Sequence, residues 1–491
     1  MQSPNRGLQN RAEWVFRTRI EVFRGITGAR YPHPMTDFTD LRAHTSGAVL
    51  NPDDAGFADE LSGFSLYYTH TPEAVVAASD ATDVVQAVRF ARANDLPARA
   101  FATGHGDHDT IGDGLVITTS RLDHVSIDPN TRIATIGAGT RWAPVVAAAA
   151  EHGLAPIAGS SANVGAVGYL LGGGLGPLAR SHGFSSDYVR SYSVVTGTGE
   201  LVEASALENP DLFWALRGGK GGLGIVTEVR VELVELPTIY GGSILFDSEH
   251  IETVVRAWAD FTQSAPADVS TSIAIIRMPP IEQVPELLRG KTIAALRFVY
   301  PGAEADGERL LAPLRAVAPA LLDSVGIMPM SDIALVHNDP TEPGLGWSTG
   351  VLLSRIDQDF VSTLLEDVGP ERQAPLVAVE LRHLGSATRR DVPETSAVGG
   401  RGAGYALSVV GTLQHPTLSP ADAEGAVSAA AFGLIDELAP WVSPETTINF
   451  AGKPRNAAHF ASAWPAKTFA RLAEVRAAYD PDGVFPYGPR D

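Results

Sequence analysis

The sequence predicts an α+β chain of two structural units, on three observations. Its 491 residues exceed what one hydrophobic core usually supports. Up to about residue 238, short β-branched runs alternate with Ala-rich helical stretches. From Gly241 to about Thr446 the strands lengthen, with helical runs between them, which suggests an antiparallel sheet covered by helices on one face. Apolar residues at 44% and a mean hydropathy of +0.04 suit a large buried interior.

Each element follows from local pattern. Residues 1–28 carry charges throughout and lack the apolar run and cleavage site of a secretory signal. There Trp14, Phe16, Ile20 and Phe23 are expected to line one side of a short helix, read as a docked surface helix or a frayed extension. After the run 73–79, Thr82 is expected to cap a helix whose Val84, Val85, Val88 and Ala91 keep helical spacing. Strands follow at 98–101, 115–118, 125–127 and 133–136. A helix at 142–152 should stop at Gly153. A strand at 187–196 turns through Gly197-Thr-Gly199 into 201–202, and a strand at 226–236 ends at Pro237. The second unit carries strands at 243–246, 270–276, 292–300, 376–382 and 405–410, with helices at 249–264, 305–316 and 421–438. The last segment ends in a helix at 466–479 and the turn Asp480-Pro-Asp-Gly483.

Composition narrows the chemistry. With no cysteine, disulfides, thiolate metal sites and cysteine nucleophiles are excluded. A net charge of -20 repels phosphate backbones, so nucleic acid is a poor partner. No run of about 18 apolar residues predicts a membrane span. A cytoplasmic setting is expected.

Three constellations carry chemistry. The first, Phe101-Ala102-Thr103-Gly104-His105-Gly106, follows a strand and precedes Gly112-Asp-Gly114 and another strand. Such a loop lets backbone N–H groups approach phosphate oxygens, and its imidazole can meet a cofactor or act as a nucleophile. A turn histidine on the surface is the alternative. His105, Asp107, His108 and Asp109 also match part of a zinc-hydrolase motif, though Thr103 stands where its leading His belongs. The second constellation runs from Gly159 through Ser160, Asn163, Val164, Gly165, Gly168, Tyr169, Gly172 and Gly174 to Gly176. Seven glycines in 18 residues suit close backbone approach to a large planar ligand. Gly174-Leu-Gly-Pro-Leu-Ala179 fits a dinucleotide pattern, but no clean strand precedes it and no acidic residue follows at the expected spacing. The third, Asn209 to Glu228, reads as a helix ending in Arg-Gly-Gly and a tight turn. Gly224-Ile225-Val226 then enters a strand that can lie against a ligand.

Taken in this order, these segments resemble the FAD-binding domain of the berberine-bridge-enzyme-like oxidases, within the vanillyl-alcohol-oxidase superfamily. Glu380-Leu-Arg382-His383-Leu-Gly385, Ile448-Asn449-Phe-Ala-Gly and the run from Arg471 to Phe485 agree, so the resemblance covers roughly residues 65 to 487. It implies a PCMH-type FAD-binding domain of two α/β subdomains at 65–238, after an extension at 1–64. A substrate domain at 239–445 and a return to the FAD domain at 446–491 complete it. It implies FAD, with a histidyl bond from His105 to the flavin 8α carbon. The cysteinyl bond of many relatives is impossible here, because Ser161 occupies its position.

The implied activity is hydride transfer from a small organic substrate (an alcohol, a sugar or a secondary metabolite) to flavin N5, and on to O2. Val164 falls at the position where a small side chain accompanies oxidases; a packed core residue is its bland reading. Tyr405, facing the flavin, is the first candidate base, followed by Glu380; Asn449 is expected to hydrogen-bond flavin or substrate. Glu380 and Arg382 share one strand face and can equally form a structural ion pair, with His383 opposite. His337 and Tyr487 are further candidates. The alternatives are a metal-dependent hydrolase built on the His105 cluster and a catalytically silent flavin-binding protein.

Overall fold

The computed structural model describes residues 36–488, so the N-terminal amphipathic stretch lies outside the described residues. Within them the first elements form a four-stranded sheet in which Ala74–Ala77 and Ala98–Phe101 both run parallel to Leu115–Thr118. The helix Ala81–Ala93 crosses over between them. Asp80, rather than Thr82, caps it: the carboxylate accepts from Asp83 N at 3.0 Å, and Thr82 sits in the first turn. Asp80→Ala should therefore cost about 1 kcal/mol of stability in a denaturant titration, whereas Thr82→Ala should cost little.

A five-stranded antiparallel sheet follows, in the order Val125–Asp128, Ile133–Gly137, Ile225–Glu232, Val189–Val195, Leu201–Ser205. The turn at Gly199 takes φ 75, a conformation open to glycine, and closes the expected hairpin. Pro237 then switches the chain directly into Thr238–Phe246 of another sheet. The strand begun at 243 on sequence pattern thus starts five residues earlier.

That sheet has eight strands among the described residues, all paired antiparallel. Its central run is Thr292–Tyr300, Ser270–Arg277, Leu376–His383, Tyr405–Thr412 and Gly346–Leu353. Strand parity divides its residues. Ile273, Leu296, Val351, Val379, Leu381 and Leu407 point into a core shared with Trp258, Leu311, Phe360 and Val427 of the covering helices. Alternate positions face the other way, and Ser272, Arg297, Glu380 and Arg382 fall there in register.

The closing helix Ala466–Tyr479 returns to the first unit's elements. Arg471 lies 3.9 Å over the Trp214 ring, and Arg476 donates to the carbonyls of Gly219 and Gly221. Buried Asp480 accepts from Val484 N and Phe485 N, and Val484 O takes the N–H of Ala98 at the sheet edge. Arg180 joins the glycine-rich segment to the large sheet. Its guanidinium donates to the carbonyls of Val269, Pro266 and Leu384 and meets His383 Nε2 at 3.0 Å.

Candidate cofactor and substrate site

The loop after Ala98–Phe101 is held by packing on both sides. Phe101 and Thr103 are buried, and Thr103 O accepts from Phe64 N at 2.8 Å. Gly104 (φ +63) lies against Gly63, where any Cβ would come within 2.6 Å of its Cα. Two residues past the tip, Asp107 Oδ2 takes a hydrogen bond from His70 Nε2 at 3.2 Å. The ring's Nδ1 accepts Ile111 N–H, which leaves Nε2 as the donor. His70 is thus a support for the loop that no motif announced.

His105 is aimed by this frame. Its ring packs edge-on to Phe64, with centroids 3.7 Å apart, and its Nε2 is buried with no hydrogen-bond partner among the described residues. Burial, helped by the nearby Arg141 charge, brings its pKa down to about 4, so the ring is neutral at pH 7. Gly106 faces open space. Among the described residues no three His, Asp or Glu side chains converge as a metal site, so His105, Asp107, His108 and Asp109 do not form the ligand set that the hydrolase alternative requires.

The second constellation folds as a loop, the short helix Ala166–Leu171 and an irregular stretch. No strand precedes Gly174, so the dinucleotide pattern there is not a strand–turn–helix unit. Several of its glycines serve the chain's own packing. A Cβ at Gly172 would strike Asn449, one at Gly174 or Gly159 the Tyr169 ring, and one at Gly176 the Ala158 carbonyl. By contrast Gly168 faces open space, and Gly165 meets only the Thr103 side chain. Ser160 donates to Asp339, and Asn163 to the Thr341 carbonyl. Ser161 Oγ is buried without a partner among the described residues. Val164 is half-buried, not a core residue.

The third constellation supplies a cation that pattern reading missed. Lys220 (φ 66) directs its Nζ to Gly168 O at 2.6 Å and Asn449 Oδ1 at 3.4 Å, both neutral acceptors, and burial lowers its pKa to about 8. Asn449 Nδ2 donates to Tyr169 O, so Asn449 ties the closing segment to the glycine-rich helix. Ile225 and Val226 are buried, and a Cβ at Gly224 would strike Val194 of the neighbouring strand. Tyr487 packs over Gly221 and Gly222.

On the large sheet, Glu380 Oε1 accepts from Ser272 (2.9 Å) and Arg297 Nη1 (3.0 Å), and Oε2 from Arg382 Nε (2.8 Å). The two arginines hold its carboxyl well below the usual range despite burial. A carboxylate so saturated is a poor proton acceptor, and the ion-pair alternative describes it. Tyr405 lies on the opposite face from the one expected. It pairs with His383, and its hydroxyl meets Thr262 and Gln263 while its ring packs on Trp258. Strand parity explains this, because Leu407 and Val409 of the same strand fill the helix-side core. His337 lines a cleft together with Ser272, Arg297, Arg382 and, from the glycine-rich segment, Leu175, Gly176, Pro177 and Ala179. Its Nε2 stands 3.4 Å from Glu380 without hydrogen-bond geometry, and burial together with both arginines keeps it neutral.

Known proteins fit this geometry. Residues 72–205 match the family described as FAD binding domain. This stretch is similar to an FAD-binding domain. Around it, the described chain has the berberine-bridge-enzyme-like fold. It superposes on 6-hydroxy-D-nicotine oxidase from Arthrobacter nicotinovorans with a TM-score of 0.77 at 21% identity, covering 94% of this chain and 99% of that one. Physcomitrella patens BBE-like 1 gives 0.78 at 17% identity, with 92% and 98% covered. In sequence, an uncharacterized FAD-linked oxidoreductase of Arthroderma benhamiae is 32% identical over 43% of each chain. The chain spans under half the length of that relative and of the Penicillium roqueforti monooxygenase prx3. (R)-6-hydroxynicotine oxidase of Paenarthrobacter nicotinovorans is 26% identical over 89% of this chain and 95% of its own. The site around the FAD-binding domain suits FAD. An orphaned imidazole nitrogen, backbone open at Gly106 and Gly168, and a lysine whose hydrogen bonds go to neutral acceptors complement an anionic planar cofactor.

Proposed function

We propose that the chain is an FAD-dependent oxidase acting on a small organic donor, with the cofactor bonded through His105 alone. In this reading residues 65–238 and 446–491 hold FAD, and 239–445 carry the donor. The observation behind it is the buried, neutral, partnerless Nε2 of His105 at the tip of a braced glycine loop. A neutral imidazole nitrogen is a competent nucleophile, whereas a protonated one is not. Bound FAD supplies a two-electron acceptor whose electrons pass to O2, giving hydrogen peroxide. The oxidase assignment draws on the small, half-buried Val164 and on relatives named as oxidases.

The chain's own residues do the rest. Lys220 and Arg141 place positive charge beside the cofactor loop. His337, neutral and at the cleft, accepts the donor's O–H or N–H proton on its ring, and Glu380 at 3.4 Å stabilises the resulting imidazolium.

Purified protein tests this directly. It should be yellow, keep its colour in the acid-precipitated pellet, and release peroxide with a donor found among alcohols, sugars and amines. Protein that neither carries nor takes up FAD would overturn the reading. His337→Ala should lower kcat about 10²–10⁴-fold with FAD content unchanged. The acidic limb of the pH–rate profile, below the ordinary histidine range because the pKa is depressed, should vanish with it.

A further inference from the structure

We infer that the cleft on the large sheet is built for an anionic donor group, a carboxylate in the first instance, held by Arg382 with Arg297. The inference rests on the oxidase reading and adds the substrate class to it. It starts from a surplus of hydrogen-bond donors. Glu380 spends both oxygens on Ser272, Arg297 Nη1 and Arg382 Nε. What remains is Arg297 Nε, buried with no partner, together with Arg297 Nη2 and the two terminal nitrogens of Arg382, which meet no protein acceptor among the described residues. Asp339, a further carboxylate, takes the Ser160 hydroxyl at 2.9 Å and acts on Arg382 through space. His337, the other group at the cleft, is held neutral and offers no negative charge.

Both guanidinium groups are fixed before any ligand arrives. Arg297 and Arg382 have side chains 9% and 14% exposed, and Phe450 lies beneath the Arg382 plane at 5.0 Å. A guanidinium whose Nε is already tied presents its two terminal nitrogens as a rigid fork. A carboxylate matches that fork with two parallel bonds, whereas a hydroxyl or a single carbonyl fills one prong. Leaving buried guanidinium donors unmatched is costly, so a neutral sugar or alcohol would be the worse occupant.

The test is calorimetric titration of the holoprotein with two acid–amide pairs of near-equal shape, acetate against acetamide and benzoate against benzamide. In at least one pair the acid should bind about tenfold or more tightly than the amide. Arg382→Gln should bring that acid to within a few fold of its amide while FAD content stays unchanged. The acid–amide comparison on unaltered protein needs no variant to fold. Two results overturn the inference: no preference for the acid in either pair, or acid affinity unchanged in Arg382→Gln. Loss of FAD alongside that unchanged affinity would give the fork to the cofactor instead. Yellow, peroxide-forming protein without acid preference defeats this inference alone. Colourless protein that prefers the acid defeats the oxidase reading alone.

Discussion

His105→Ala should release the yellow chromophore into the supernatant on acid precipitation, while the unaltered chain keeps it in the pellet. The chain has no cysteine, and the hydroxyl of the buried Ser161 is no thiolate. The same geometry sets a pH dependence for attachment. Burial holds the imidazole pKa at about 4, so the neutral, nucleophilic form predominates at all pH above that value. Attachment of added FAD to cofactor-free protein should therefore proceed at a steady rate down to about pH 5. Below about pH 4 it should fall as the nitrogen takes a proton. A rate that drops instead around the ordinary histidine range would show the ring to be solvated. A pellet that stays yellow in His105→Ala would put the bond elsewhere.

Elements with strong periodicity were legible, and those shaped by partners were not. The helix 466–479 and the strand 292–300 match their observed bounds because the apolar spacing alone defines them. The strand Gly346–Leu353 escaped notice. Gly350 interrupts its pattern, and that glycine is there so that the carbonyls of Phe450 and Leu407 can approach within 2.4 and 2.6 Å of where a Cβ would stand. The helix Gln358–Val368 also escaped notice, although Phe360, Val361, Leu364 and Val368 keep helical spacing behind the Asp357 cap.

At the site, the glycines announced a ligand loop, yet many of them accommodate Tyr169, Asn449 and Tyr487 of the chain itself. A glycine says that something comes close, not what. Strand parity could have placed Tyr405 correctly. Within Tyr405–Thr412, Tyr405, Leu407 and Val409 share the apolar face, and Glu380 pairs with Ser408 on the other. Lys220, His70 and Arg297 carried no local signal, because their roles depend on residues roughly forty to two hundred positions away.

Glu380→Ala should destabilise the fold by about 3–5 kcal/mol in a urea titration, the usual cost of leaving a buried charge without its partner. Two arginines lose their shared acceptor at once, and neither bonds another carboxylate among the described residues. Glu380→Gln keeps the shape but not the charge and should fall between the two. Replacing Arg297, Glu380 and Arg382 together by apolar residues of similar size should recover much of the loss, since the desolvation of all three charges is then removed as well. The pH dependence follows from the depressed carboxyl pKa. A group that ionises more readily folded than unfolded adds stability above its unfolded value, near 4.5, and that increment drains away as pH falls toward the folded value. The stability gap between the unaltered chain and Glu380→Ala should thus be widest at neutral pH and narrow below about pH 4.5. A gap that stays constant through that range would mean the carboxylate is solvated and its two arginines are not held by it.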